Sequence, residues 1–207
     1  MSPSDLTEEE IARRLAEIAG QIHPPSDPLR PALPHLMLRG QPKPASVLVP
    51  LLQVDNDWHI LLTRRTDTLN EHSGQVAFPG GRAELGDSSL EDTALREARE
   101  EIGLEPTQAH ILGRLDSFIT ITNYVLTPVV GRILWPFPIR LEENEVQRVF
   151  TIPLHWLADP ANHEIRPRPL PPPFPDIPVI YFRPYDGENL WGVSAQITLN
   201  LLRVLFK

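Results

Sequence analysis

Residues 78–104 read FPGGRAELGDSSLEDTALREAREEIGL, and the end of that stretch, Arg96-Glu97-Ala98-Arg99-Glu100-Glu101-Ile102-Gly103-Leu104, decides the fold. Glu97 and Glu101 stand one helical turn apart, with Glu100 three residues from Glu97. At ~100° per residue these carboxylates fall in one sector of a helix. Like charges so placed repel by about 0.2–0.5 kcal/mol per pair. A hard divalent cation such as Mg²⁺, which favours carboxylate oxygens, is the counter-charge that suits them. The alternative is a solvated acidic face, common on glutamate-rich helices. The flanking residues weigh against that alternative. Leu95, Ala98 and Ile102 predict an apolar stripe on the opposite side that anchors the helix. Gly103 predicts its C-terminal stop, and Pro79-Gly80-Gly81 can bring bare backbone close to a bound group.

These residues resemble the Nudix box, G-x5-E-x7-R-E-U-x-E-E-x-G-U with U aliphatic. The second half is matched from Arg96 to Leu104, with Ala98 at the first U. The first half departs: five residues lead from Gly81 to Asp87, where glutamate is usual, and eight rather than seven then precede Arg96. The resemblance places the box at about 81–104 and implies an α/β fold, a Nudix-type α/β/α sandwich around a mixed β-sheet. It also implies Mg²⁺ or Mn²⁺ held by Glu97, Glu100 and Glu101, with the Gly80 carbonyl as a further ligand. Arg96 is implied to orient Glu97 through a salt bridge. Glu145, in Glu142-Glu143-Asn144-Glu145, is a candidate distal carboxylate acting as base or extra ligand. A solvated acidic turn is the other reading of that run.

A second segment narrows the resemblance. Leu61-Leu62-Thr63-Arg64-Arg65 through His72-Ser73-Gly74-Gln75-Val76-Ala77-Phe78-Pro79-Gly80-Gly81 is similar to the pattern L-L-T-x-R-[SA]-x3-R-x3-G-x3-F-P-G-G of Nudix enzymes that hydrolyse coenzyme A. Thr66 replaces the small residue, and Asn70 stands where an arginine is expected, which removes a bidentate phosphate contact. Thr127-Pro128-Val129-Val130-Gly131, Glu145-Val146 followed by Phe150, and Leu190-Trp191-Gly192 also resemble that subfamily. On this resemblance Arg64, Arg65, Asn70 and His72 are the candidate substrate-binding residues. Phe78 reads as core. Trp191 reads as packing before a helix, or as a surface for a base or pantetheine.

Composition sets outer limits. The chain has 207 residues and no cysteine, which excludes a thiol nucleophile, a thiolate metal site and a disulfide framework. A formal net charge of −8 argues against nucleic acid as a partner. It also means that a polyanionic substrate needs cations at the site. No apolar run reaches the ~20 residues of a membrane span, and acidic Asp5, Glu8, Glu9 and Glu10 stand where a signal peptide carries lysine or arginine, so a cytoplasmic enzyme is expected. The seven histidines show no metal-binding spacing and read as ordinary surface or core residues.

Thr7-x-x-Glu10 is a capping box ahead of Ile11, Leu15 and Ile18 at helical spacing. This short amphipathic helix is expected to pack on the domain or on the second subunit of a homodimer. With the proline-rich arm from Gln21 to Lys43 it forms an N-terminal segment, 1–43, ahead of a single domain, 44–207. The run from Ala45 to Leu52 predicts a strand interrupted or bulged at Pro50, with Trp58 to Thr63 as its hairpin partner across Asp55-Asn56-Asp57. Ile111 to Phe118, Tyr124 to Ile133, Val149 to Pro153 and Val179 to Phe182 predict further strands, with a helical turn near His155 to Ala158. Pro167 to Pro178 predicts a polyproline-like excursion or the stiff limbs of a long hairpin. Val193, Ile197, Leu201 and Val204 mark a closing helix.

Three functions fit these residues. The first is Mg²⁺-dependent hydrolysis of the diphosphate of coenzyme A or its thioesters to 3′,5′-ADP and a 4′-phosphopantetheine product. The second is hydrolysis of another nucleoside diphosphate compound, such as a dinucleotide or nucleotide sugar. The third is a Nudix-fold binding module without catalysis, against which the Glu97, Glu100 and Glu101 set stands.

Overall fold

Lys43–Val54 is apolar on both faces, the pattern of a strand covered from above and below. It forms β1, at the centre of the sheet. A computed structural model describes residues 6–18, 41–67, 74–120, 122–169 and 176–206. Asn70, His72, residues 21–40 of the expected arm and residues 170–175 of the proline-dense segment lie outside them. β1 begins at Lys43, so the last residue assigned to the arm is already strand.

Contrary to expectation, β1 runs through Pro50 without interruption, pairing continuously in parallel with β7 (Tyr124–Ile133) from Lys43↔Tyr124 to Leu51↔Arg132. On its other side β1 pairs with β4 (Gly80–Arg82) only up to Val47, and with β2 (Asp57–Arg65) only from Leu51. The Leu48 amide points to that side, donating to the Pro79 carbonyl. Two residues on, the N–H that Pro50 lacks would point to the same side, into the gap between the two partners, so no ladder bond is lost. Asp55 (φ 49°) and Asn56 (φ 64°) turn β1 into β2. Positive φ at both central residues matches the twist of a tight hairpin.

The sheet is completed by β3 (Val76–Ala77), β5 (Ala109–Arg114), β6 (Phe118–Ile119) and β8 (Val146–Pro153). Its main path is β3-β2-β1-β7-β5, with β4 on β1, β6 on β7 and β8 on β2. The β1–β7 pair is parallel and the others are antiparallel, so the sheet is mixed. Helix α2 (Leu90–Ile102) covers one face, burying Ala94, Ala98 and Ile102 against Leu48, Leu52, Leu61 and Val129. Helices α1 (Glu8–Ile18), α3 (Leu154–Ala158) and α4 (Gly192–Leu205) cover the other face, over Val49, Leu51, Ile60 and Leu62. This is the expected α/β/α sandwich. A separate hairpin of β9 (His163–Arg168) and β10 (Ile177–Phe182) supplies the limbs predicted for the proline-dense segment.

Helix α1 is integral to this core. Ile11, Leu15 and Ile18 are buried, the Trp58 indole donates to the Leu6 carbonyl at 2.8 Å, and Arg14 donates to the Leu205 carbonyl at 2.6 Å. Two helix assignments are corrected. On α2 the buried stripe starts at Ala94, and Leu95 is half-buried at its margin. On α4 Val193 is exposed, while Ala195, Leu199, Leu202 and Leu205 widen the buried face, because this helix is covered on more than one side. No helix among the described residues is long and apolar enough to cross a membrane.

Candidate active site

Helix α2 is held at both ends by its own sequence. Ser89 caps the start, its Oγ accepting from the Asp92 amide at 3.1 Å. Gly103, at φ 74°, ends the helix, its amide donating to the Arg99 carbonyl and that of Leu104 to the Ala98 carbonyl. The position of the glutamates along the sheet is thereby fixed.

The three glutamates are not equivalent. Glu100 is exposed and bonded to Arg96 at 3.1 Å. Glu97 is half-buried, 3.0 Å from Arg96 Nη1, and lies over Gly81 so closely that a Cβ there would come within 2.4 Å of its Oε1. Glu101, expected on the polar side, is 5% exposed. Desolvation raises the Glu101 pKa to about 8; the Gly80 amide, 3.5 Å from Oε1, and the Arg65 charge oppose the shift, while Glu97 and Glu145 add to it. Glu97 is also raised, by desolvation first, against the pull of Arg96 and with the push of Glu100 and Glu145.

Arg96 joins all of this. Its guanidinium contacts Glu97 and Glu100, donates to the Arg82 carbonyl at 2.9 Å, and grips Asp87 through Nε at 3.0 Å and Nη2 at 3.2 Å. Asp87 further accepts from the Glu84 amide and the Thr93 hydroxyl. Its carboxyl is held down at about 2, chiefly by the Arg96 hydrogen bonds. Asp87, whose role the sequence departure left open, is thus bound to the arginine of the box.

Arg64 and Arg65, adjacent on β2, point to opposite faces. Arg65 lies beside Glu101, and its Nε is buried with no hydrogen-bond partner. Arg64 lies on the α4 side, 3.1 Å from Asp67 and 3.7 Å from buried Glu188. Glu145 is exposed, in the turn before β8, and its charge adds to the upward shifts of Glu97 and Glu101. Phe78 is core at 3% exposure. Trp191 is half-buried and stacks on Tyr181 with ring centroids 5.6 Å apart, which agrees with the first of its two readings.

Among the described residues, no group of three His, Asp or Glu side chains is drawn close enough together to hold an ion as it stands. The chemistry of the donor set nevertheless fits a hard divalent cation. It is all carboxylate oxygen, and Glu101 is so desolvated beside Glu97 that only added positive charge restores its ionised form near neutral pH. Gly80 directs its amide to this side, and in an extended strand a residue's C=O points the same way as its N–H.

For one residue here, Asp87, sequence reasoning left the role open. Asp87 could have been recognised from its distance to Arg96, because the extra residue offsets the shorter side chain.

The chain matches the NUDIX domain over residues 42–174. It is 36% identical over 165 residues to NudL of Yersinia pestis (strain Pestoides F), described as an uncharacterized Nudix hydrolase, with 76% of this chain and 77% of the relative covered. NudL of Yersinia pseudotuberculosis serotype O:3 (strain YPIII) is similar to the same extent. A solved structure with a similar fold is the Nudix hydrolase RenU from M. Smegmatis, at 19% identity and a TM-score of 0.49, covering 58% of this chain and 76% of that one. The chain belongs to the Nudix hydrolase family. It is accordingly a pyrophosphohydrolase acting on a nucleoside diphosphate compound, in a family that generally uses divalent metal ions such as Mg²⁺.

Proposed function

We propose that this enzyme hydrolyses the diphosphate linkage of coenzyme A or its thioesters, giving 3′,5′-ADP and a 4′-phosphopantetheine product, as a cytoplasmic Mg²⁺- or Mn²⁺-dependent enzyme. The observation that carries the chemistry is buried Glu101, its pKa raised to about 8, beside Glu97 and Glu145. Glu97, Glu100, Glu101 and the Gly80 carbonyl would hold the cation. Once bound, it supplies charge neutralisation at the phosphoryl oxygens and acidifies the attacking water. Arg65, whose charge acts on Glu101, supplies the cation for a phosphoryl oxygen of the substrate. Glu145 takes the proton from water as the water oxygen attacks phosphorus and the bridging P–O bond breaks. Arg96 keeps Glu97 oriented from Asp87. The preference for coenzyme A rests on the likeness of residues 61–81 to that subfamily, and Asn70 and His72 are proposed as its further contacts.

A second reading, hydrolysis of another nucleoside diphosphate compound, is favoured by Arg64. That residue is engaged by Asp67 and Glu188 on the far side of the sheet. With asparagine at position 70, fewer cations then face a substrate bearing three phosphates. The test is a panel of coenzyme A, a dinucleoside polyphosphate, ADP-ribose and a nucleotide sugar, with Mg²⁺ or Mn²⁺ and products resolved by chromatography. Coenzyme A should show the highest kcat/KM and release 3′,5′-ADP. In the same assay Glu101→Gln should lower kcat by about a hundredfold or more, the scale of a lost charge-stabilising group. A tenfold higher kcat/KM on any other panel member would replace coenzyme A with that compound.

A further inference from the structure

Thr66 directly follows β2, at the position where the coenzyme A pattern carries a smaller residue. It is 8% exposed, and it makes two hydrogen bonds to the turn that carries Glu145. Its amide donates to the Glu145 carbonyl at 3.0 Å, and its Oγ1 donates to the Asn144 carbonyl at 2.9 Å. Those two carbonyls belong to the peptide planes on either side of the Glu145 α-carbon. Since each plane is rigid, holding both carbonyls restrains φ and ψ of Glu145 and with them the direction of its Cβ.

The rest of the turn is anchored elsewhere. The Glu142 amide donates to the Glu101 carbonyl at 3.0 Å, and the Glu145 and Val146 amides return to the Glu142 carbonyl. Just beyond, the β2–β8 pairing shifts from Arg64↔Arg148 to Arg65↔Val146, leaving Gln147 as the extra residue. Such a bulge re-aims the chain next to it. The turn is thus tied to the end of α2 at Glu142 and to the end of β2 at Thr66, and Glu145 sits at the second tie.

We propose that Thr66 is a positioning residue for Glu145, its hydroxyl holding the Asn144 carbonyl so that the Glu145 carboxylate faces Glu97 and Glu101. This rests on the reading of Glu145 as the distal acid. β-Branching suits the task, because it restricts the rotamer that carries the hydroxyl. Thr66→Val keeps the shape, removes the donor and leaves a carbonyl without its partner.

The experiment uses full-length enzyme with Mg²⁺ and whichever of coenzyme A and ADP-ribose it turns over, alongside amide hydrogen exchange and Mn²⁺ affinity without substrate. Thr66→Val should lower kcat by about ten- to a hundredfold, the scale of a small misplacement of a reacting group. KM should stay near wild type, the melting temperature should fall by only the few degrees that one lost hydrogen bond costs, and exchange at Glu145 and Val146 should quicken. Thr66→Ser should restore kcat, and Thr66→Val should add no loss on a Glu145→Gln background. If Thr66→Val does not fold, Thr66→Ala carries the same test. Losses that multiply in the double variant, or a wild-type kcat in Thr66→Val while Glu145→Gln is impaired, overturn the role of Thr66 alone. Wild-type kcat and Mn²⁺ affinity in Glu145→Gln overturn the reading of Glu145 itself, and this inference with it.

Discussion

Asp87 is one carbon shorter than the glutamate usual at its place in the box, and one residue more separates it from Arg96. The two departures compensate, for the carboxylate still meets the guanidinium at 3.0 Å and 3.2 Å. Its pKa, lowered from 3.8 to about 2 by Arg96 first and the Glu84 amide next, makes this pair a pH-dependent contribution to stability. For an acid whose folded pKa is depressed, the contribution is present above the unfolded value and is lost as pH falls through the folded one. Asp87→Asn should therefore be less stable than wild type at pH 6. The difference should shrink as pH falls from about 4 toward about 2, a window set by the two pKa values. Urea unfolding of both proteins across that range measures it. A difference that stays constant would mean that the Asp87 charge does not matter to Arg96.

At the scale of the element, helix α1 makes the sharpest claim. Its three apolar positions are buried, and Leu15 packs where a Cβ on Gly113 would come within 2.9 Å of its own. Leu15→Ala should destabilise the protein by about 2–5 kcal/mol, as expected when a fully buried leucine is truncated, read as a lower urea midpoint. A change below about 0.5 kcal/mol, the scale of a surface substitution, would mean that α1 is not part of the core in solution. This helix was legible in the sequence because the Thr7 cap and the spacing of Ile11, Leu15 and Ile18 agree locally. The box helix was legible for the same reason, down to Gly103. The unbroken β1 was not, since whether Pro50 breaks a ladder depends on where β4 ends and β2 begins. Likewise, three glutamates at helical spacing disclose a shared sector. They do not disclose that Glu101 is buried and Glu100 exposed, which the approach of Gly80 and β2 decides. The separation of Arg64 from Arg65 follows from strand alternation. Which of them meets the carboxylates follows only from the packing of α2.

At the scale of the whole molecule, the net charge of −8 and the burial of Glu101 beside Glu97 make the metal-free protein lose stability as pH rises from the acid side through neutrality. Desolvation raises Glu101 from 4.5 to about 8. Between those values the folded chain keeps a proton that the unfolded chain releases. Stability therefore falls as pH rises through that window, the reverse of the Asp87 case. A divalent ion competes with the same proton and binds only the folded form. The rise in melting temperature produced by a fixed Mg²⁺ concentration should thus be small near pH 6 and grow toward pH 9. Activity with saturating Mg²⁺ should climb over the same range. In Glu101→Gln, the metal-free melting temperature should lose most of its decline with pH, and the Mg²⁺ increment should shrink at every pH. Thermal scans of both proteins, with and without Mg²⁺, make the comparison. An increment that is constant with pH, or that persists in Glu101→Gln, would place the cation away from this carboxylate and leave the strain at Glu101 without a function.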